Sequence, residues 1–296
     1  MKTDWMIDVA HGSLSVASND GRGTRTASAP MRWAYAMSWI VAALMIVASL
    51  AGLLMDGLYK EGEWARQALR GGDLVTLVLV APLLIAALVW SKRGSHRAQV
   101  VWMGVLAYSL YDYAYYAFGA SFNALFLLHI ALFSLSVFAL VCALANLQVS
   151  RIAARLRTER PARWVGGFLV IVGLLQGLLW VFVVVRNAFT GEVIQNIPVA
   201  GQHLVFALDL GLLVPSLIVA GVLLFRRAAL GFLLGGAMAV MGAAYQLNLM
   251  VGGVFQANAN VPGVKAFPPE SLFLTATFLI ASVVLLRGRG RAIGSR

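Results

Sequence analysis

The chain has 296 residues, of which 60% are hydrophobic and 12% are charged, with a formal net charge of +11. Soluble domains carry about 25% charged residues, so this composition excludes an ordinary water-soluble protein. It predicts an all-α, polytopic bundle of membrane-spanning helices. The single cysteine, Cys142, excludes an internal disulfide and a cysteine-based zinc site.

Three regions follow one another along the chain. Residues 1–30 are rich in Ser, Gly, Asp and Arg, which predicts a disordered cytoplasmic tail. Residues 31–287 form the predicted transmembrane domain, and residues 288–296 form a basic cytoplasmic tail. A span needs about 20 apolar residues. The eight apolar segments are Ala34–Met55, Leu74–Trp90, Val100–Gly119, Ala124–Leu147, Trp164–Val185, Leu204–Phe225, Ala228–Phe255 and Ser271–Leu286.

The basic residues test this count of spans. Of the 23 Lys and Arg residues, 18 fall in the two tails and in the second, fourth and sixth loops. The positive-inside rule therefore predicts eight spans with both termini in the cytoplasm, and seven spans with one re-entrant segment is the alternative. We expect a bacterial-type plasma membrane protein whose charge contacts anionic lipid headgroups at the cytoplasmic face, not nucleic acid.

The first outer loop, Gly57–Asp73, carries Trp64, Leu69 and mixed charges. This composition fits a short helix lying at the membrane interface. A solvated connector explains it equally well, so the loop by itself assigns no site.

Two stretches of the chain resemble each other. Pro82 followed by a Lys-Arg pair matches Pro215 followed by an Arg-Arg pair, and Tyr111-Asp112 matches Tyr245-Gln246 at an offset of about 134. These landmarks predict a duplicated four-helix unit, with halves at residues 31–147 and 162–287. Both halves would begin in the cytoplasm, so the repeats would be parallel, and a binding site is expected where they meet. Chance resemblance between apolar helices is the alternative.

Ionisable groups inside the spans are few and lie at one depth. At about 1.5 Å per residue, Asp112, His129 and Asp209 are roughly 8–10 Å below the outer boundary. Gln176, Gln246 and Asn248 lie roughly 10–14 Å down by the same rise. Ionisable groups in a span are costly and mark a functional site by default, so this one-sided pattern predicts a polar cavity open to the outside.

The third apolar segment is predicted to form one wall of this cavity. Tyr108, Tyr111, Asp112 and Tyr115 have the spacing of one helix face. The tyrosines also suit hydrogen-bonded packing, His129 suits a structural imidazole, and Asp209 suits a cap near a helix start. Taken together, the predicted ligand-binding or proton-carrying residues are Asp112, His129, Asp209, Gln246, Tyr108, Tyr111, Tyr115 and Tyr245.

Several activities lack the residues they need. No lysine lies within a span, which excludes a retinal Schiff base. A bis-histidine haem would need His129 and His203, whose depths differ by about 7 Å. No phosphate-binding loop or hydrolase motif is present. We expect no cofactor and no metal, and the sequence names no catalytic residue.

Three functions remain after these exclusions. The first hypothesis is binding or transport of a small molecule or a proton-coupled solute, with the aspartates as charge or proton carriers. The second is a membrane-embedded enzyme acting on a lipid or quinone, with His129 and Asp112 as an acid–base pair. The third is a non-catalytic subunit or sensor whose polar residues hold helices together. The ligand and the oligomeric state do not follow from the sequence.

Overall fold

The computed structural model describes residues 29–156, 159–191 and 199–287, so the predicted tails lie outside the described residues except for Ala29 and Pro30, which begin the first helix. We number the helices in chain order. They are α1 (Ala29–Leu54), α2 (Glu63–Lys92), α3 (His96–Phe118), α4 (Phe126–Asn146), α5 (Val149–Leu156), α6 (Glu159–Thr190), α7 (Val199–Leu208, extended by Asp209–Leu213 and Val214–Phe225), α8 (Ala229–Asn258) and α9 (Pro269–Leu286).

Seven of these helices are long and apolar enough to cross a membrane: α1, α2, α4, α6, α7, α8 and α9. They indicate an integral, multi-pass membrane protein. The predicted eighth span corresponds to α3, which has 23 residues but carries five tyrosines and Asp112 in its second half. This polar content separates α3 from the other seven helices, and the count of eight spans is not confirmed.

Helix α3 lies at the centre of the bundle. It packs against α2, α4 and α8, and 15 of its 23 residues are buried, including Trp102 and Tyr108. Helix α1 packs along α2 and α4. Helices α2 and α8 approach each other so closely that a Cβ added to Gly71 would lie 2.6 Å from the Cα of Gly252. Small residues at such a crossing let two membrane helices touch through their backbones.

The first predicted loop, Gly57–Asp73, is helical from residue 63 onward, and this helix continues into the second segment, unlike the short helix or the connector expected. Glu63 begins a continuous helix of 30 residues that includes the predicted second segment. At about 1.5 Å per residue this helix is about 45 Å long, so its first turns extend beyond a hydrocarbon core of about 30 Å. The charges of these turns pair locally, since Arg66 forms an ion pair with Glu63 and Gln67 donates to Glu63.

Two π-helical turns interrupt the helices that carry the prolines. One is Thr76–Val80 in α2, and the other is Asp209–Leu213 in α7. Pro82 and Pro215 follow at the same place, within the first two positions of the α-helix that resumes. Proline removes a backbone donor, and a π-turn absorbs the resulting change in hydrogen bonding.

The turns that end α2 and α7 also match. Gly94 has a φ of 84° and Arg227 has a φ of 59°, so both residues are left-handed. In each turn this residue donates its amide to the carbonyl three residues back, and the next residue donates to the carbonyl five residues back. This is the hydrogen-bond pattern of a Schellman cap. Glycine suits the conformation, whereas an arginine is uncommon there.

The packing of the first four helices is tighter than that of the last four. Helix α1 packs along α4, but α6 touches α9 at few points. In the same way α2 packs along α8, but α7 touches α3 at few points. Helix α6 is held mainly by α7. The looser contacts leave an opening between α3, α6, α7 and α9.

Candidate functional site

A cavity of ≈ 370 Å³ fills this opening, and we call it the acidic cavity. It extends from Glu61 and Ala120, at the ends of α2 and α3, to Leu217 and Phe278 near the middles of α7 and α9. Helices α2, α3, α6, α7, α8 and α9 contribute its walls. Its size is within the range of about 300–1,000 Å³ typical of small-molecule sites.

Asp209 lies in the cavity wall, at the first residue of the π-turn in α7, and is 2% exposed. Tyr111 of α3 donates its hydroxyl to one carboxylate oxygen. Trp180 and Gln176 of α6 donate to the other, at 2.6 Å and 3.1 Å. Three donors meet the two carboxyl oxygens of Asp209, and such hydrogen bonds offset part of the cost of burying its ionised form.

Asp112 lies in the opposite wall, on α3. Its Oδ1 accepts a hydrogen bond of 2.8 Å from the Asn248 amide on α8, which also donates to the Tyr108 hydroxyl at 2.7 Å. Its Oδ2 is buried and has no hydrogen-bond partner among the described residues. A buried carboxylate oxygen without a partner is costly, so Asp112 has capacity for a donor that the described protein does not supply.

A third carboxylate, Asp73 of α2, lies outside the cavity wall. Tyr59 donates to it at 2.7 Å and Tyr116 at 3.3 Å. Burial raises the pKa of Tyr59, and the neighbouring carboxylate of Asp73 raises this pKa further. Tyr59 therefore keeps its proton and remains a donor. Since Tyr116 lines the acidic cavity, the Asp73 cluster supports the wall from behind.

The structure brings most of the predicted site residues together. Asp112, Asp209, Gln246, Tyr115 and Tyr245 line the acidic cavity. Two more act from behind the wall: the Tyr108 hydroxyl accepts from Asn248, and the Tyr111 hydroxyl contacts Asp209. The rings of Tyr111 and Tyr245 also contact each other edge to face, at 5.1 Å between centroids.

His129 does not line the acidic cavity, in contrast to the expected pairing with the two aspartates. It is 1% exposed, and its ring lies 5.0 Å from that of Tyr116 and 6.2 Å from that of Tyr113. The reason is that α4 packs mainly on α1 and α3, and that its His129 lies against Tyr113 and Tyr116 of α3. The sequence predicts the level of His129 along the bundle, but it does not predict the side of α3 on which His129 lies.

A second cavity of ≈ 340 Å³ lies between α3, α4, α7 and α8, and we call it the apolar cavity. On α8 it spans Leu234 to Met241, where the acidic cavity begins at Gly242. On α3 it ends at Tyr111, one residue before Asp112. The two cavities therefore lie one after the other along the bundle.

The boundary between the cavities consists of Tyr111, Asp209 and Leu213, which we call the partition. Leu213 lines both cavities. Tyr111 lines the apolar cavity, while its hydroxyl donates to Asp209 in the wall of the acidic cavity. One hydrogen bond across the gap between α3 and α7 thus helps to close one cavity from the other.

Sequence reasoning missed several polar residues of this site. Gln176 and Asn248 were recognised only by depth, and Trp180 was not recognised, although Gln176 and Trp180 have the i, i+4 spacing of one helix face. Asp73 and Glu61 were assigned to a loop. The pair Gly71-Gly72 before Asp73 was a signal for close helix packing there.

Among the described residues, no group of three His, Cys, Asp or Glu side chains is placed to hold a metal ion. The site is instead a set of carboxylates, amides and tyrosines on the wall of an apolar cavity. Comparison of the chain with protein-family models, curated proteins and solved structures finds no match, so its function has to follow from the geometry of these residues.

Proposed function

We propose that this protein binds a small molecule in the acidic cavity and transports it along the path that continues into the apolar cavity. The observation that carries this proposal is the partition. Two cavities that meet end to end at one hydrogen-bonded closure have the arrangement expected of a path with a gate. Transport requires such a closure to open and shut while the ligand is bound.

The other two functions account for less of the geometry. A subunit whose polar residues only join helices would need no cavity of this size, because interhelical hydrogen bonds form without one. An enzyme with His129 and Asp112 as an acid–base pair would need both groups at the ligand, but only Asp112 lines the acidic cavity. Binding and transport need the two aspartates at the ligand, and Asp112 and Asp209 both line the acidic cavity.

We also propose eight spans with α3 as the eighth. Its 23 residues cover about 35 Å at about 1.5 Å per residue, and its neighbours α2, α4 and α8 are among the seven apolar helices. The distribution of Lys and Arg then places both termini in the cytoplasm, in a bacterial-type plasma membrane with the basic loops against anionic headgroups. In this orientation the acidic cavity opens outward.

The topology is tested with single cysteines in a Cys142→Ser background. Arg155→Cys and Arg226→Cys are expected to resist an impermeant thiol reagent added to intact cells, while Ala259→Cys is expected to react. The reason is that residues 155 and 226 fall in basic loops, which the positive-inside rule places in the cytoplasm. All three should react after permeabilisation, which controls for accessibility. Labelling of Arg226→Cys from outside would contradict eight spans.

A parallel duplication of four helices is part of the proposal. It is supported by the matching π-turns, the matching Schellman caps and the contact between Tyr111 and Tyr245, since equivalent residues near a two-fold axis meet each other. In this view α1 to α4 correspond to α6 to α9. The acidic cavity then lies where the second half lacks the packing of the first, at the junction of the two halves.

Filling the acidic cavity tests the proposed function without knowledge of the ligand. Val172 of α6 lines this cavity, whereas Leu175 of the same helix is 63% exposed on the outer surface of the bundle. Small molecules bound to the purified protein are measured by native mass spectrometry and by extraction. Val172→Trp is expected to remove a bound species that Leu175→Trp retains, because the larger side chain occupies the space.

The outcome against the proposal is equally defined. If Val172→Trp and Leu175→Trp carry the same molecules as the unaltered protein, in the same amounts, the acidic cavity is not the binding site. Both variants must elute as folded monodisperse protein, because an unfolded variant would lose its ligands for another reason.

A further inference from the structure

The carboxyl groups are the only ionisable side chains of Asp, Glu, Lys, Arg or His type among the described residues that line the acidic cavity. Its ionisable carboxylates are Glu61 at the mouth, Asp112 in one wall and Asp209 in the other. In the described part of the chain, none of the residues that line this cavity is Lys, Arg or His. A site with carboxyl groups and no basic side chain disfavours anions and favours cations, because a cation stabilises the ionised form of a carboxyl group in a low dielectric.

The two deep carboxylates differ in the number of hydrogen bonds that they accept. Asp209 receives hydrogen bonds from three side chains, so its acceptor capacity is largely used. Asp112 receives one from Asn248, and its other oxygen is buried without a partner among the described residues. A positively charged donor from a ligand would supply what Asp112 lacks, and a neutral molecule would supply less.

Aromatic rings form much of the remaining wall. They are Trp64, Trp180, Tyr115, Tyr116, Tyr245 and Phe278, and aliphatic side chains fill the gaps between them. The face of an aromatic ring attracts a cation, and the attraction grows when the cation is desolvated. The same rings bury the apolar body of a ligand. Negative charge and aromatic surface are therefore combined in one enclosed space.

We propose that the ligand of the acidic cavity is a hydrophobic organic cation, a protonated amine on an apolar body, with Asp112 as its counter-charge. The inference rests on the proposed function, because it identifies the class of molecule that the same cavity binds. The apolar cavity suits such a ligand, since the body of the molecule remains in apolar surroundings beyond the partition.

Three probes of nearly equal shape separate charge from hydrophobicity: 2-naphthylmethylamine, 2-naphthylmethanol and 2-naphthoate. Their binding to the purified full-length protein is measured by isothermal titration calorimetry at pH 7. The amine is expected to bind at least about tenfold more tightly than the alcohol, and the carboxylate is expected not to compete. The amine itself is the cation, so no unidentified ligand is needed.

Variants then assign the charge to one residue. Asp112→Asn is expected to weaken the amine at least about tenfold and to leave the alcohol within about twofold. Asp56→Asn is the control, because Asp56 is an exposed carboxylate that lines neither cavity, and it should keep the preference for the amine. If Asp112→Asn does not fold, Tyr115→Leu compared with Tyr115→Phe tests the aromatic wall: only the leucine should weaken the amine.

The outcomes distinguish the two proposals. Equal affinity for amine and alcohol, both lost in Val172→Trp and retained in Leu175→Trp, overturns the cation and leaves the binding function in place. A preference for the amine that survives Asp112→Asn overturns the role of Asp112. Failure of all three probes to bind contradicts the ligand class. The proposed binding function itself is contradicted by a separate result: the amount of each co-purified molecule is the same in Val172→Trp as in the unaltered protein.

Discussion

Replacing Tyr111 with alanine is expected to open the partition between the two cavities. The reporter is a cysteine at Ser216, which lines the apolar cavity, in a Cys142→Ser background. An impermeant cationic thiol reagent added from outside should reach Gln246→Cys in the acidic cavity in every variant. It should reach Ser216→Cys slowly while Tyr111 is present, and at least about tenfold faster in Tyr111→Ala.

The size of this effect follows from what the substitution removes. Tyr111→Ala removes the hydrogen bond to Asp209 and the ring that contacts Tyr245. A hydrogen bond to a charged group contributes about 1.5–3 kcal/mol, which corresponds to tenfold or more in an opening equilibrium. Tyr111→Phe keeps the ring and loses only the hydroxyl, which bonds to Asp209 and Tyr115, so it should give an intermediate rate.

Tyr113→Ala is the matched control for this experiment. Tyr113 is equally buried on the same helix, but it lines neither cavity and contacts His129 instead. If Tyr113→Ala raises the reactivity of Ser216→Cys as much as Tyr111→Ala does, the bundle has merely loosened. If Ser216→Cys reacts rapidly with Tyr111 intact, the two cavities are connected and the partition does not close them.

The largest loss of stability is expected for Asp209→Leu. The leucine leaves the hydroxyl of Tyr111, the indole N–H of Trp180 and the amide of Gln176 without their acceptor. A buried donor left unpaired costs about 1–3 kcal/mol, and only Tyr111 is buried while Trp180 and Gln176 are half-buried, so the loss should be about 1–3 kcal/mol. Asp209→Asn keeps one acceptor oxygen and nearly the same volume, and its loss should be smaller.

Thermal unfolding in detergent gives the order of the variants. The expected order of melting temperature is the unaltered protein first, then Asp209→Asn, then Asp209→Leu. Asp56→Leu is the control, since Asp56 is exposed and an exposed substitution usually changes stability by no more than about 0.5 kcal/mol. A melting temperature of Asp209→Leu equal to that of the unaltered protein would show that these hydrogen bonds do not hold α3, α6 and α7 together.

The positions of most apolar helices could be predicted from the sequence, because a span must be apolar for about 20 residues. The face of α3 could also be predicted, since Tyr108, Tyr111, Asp112 and Tyr115 follow helical spacing whatever surrounds them. Helix α2 was predicted too short because Glu63, Arg66 and Arg70 resemble a loop. In the fold their turns extend the helix beyond the apolar segment and pair some of these charges locally.

By itself, the sequence predicted the position of each polar residue along its helix, because this position follows from a fixed rise per residue. It did not determine which residues meet, because rotation and neighbours depend on side-chain packing between helices. Asp209 meets Tyr111, 98 positions earlier, and Asp112 meets Asn248, 136 positions later. His129 meets neither carboxylate, since its part of α4 packs against Tyr113 and Tyr116 of α3. Only the tertiary structure decided that two carboxylates share one cavity and that the histidine lies outside it.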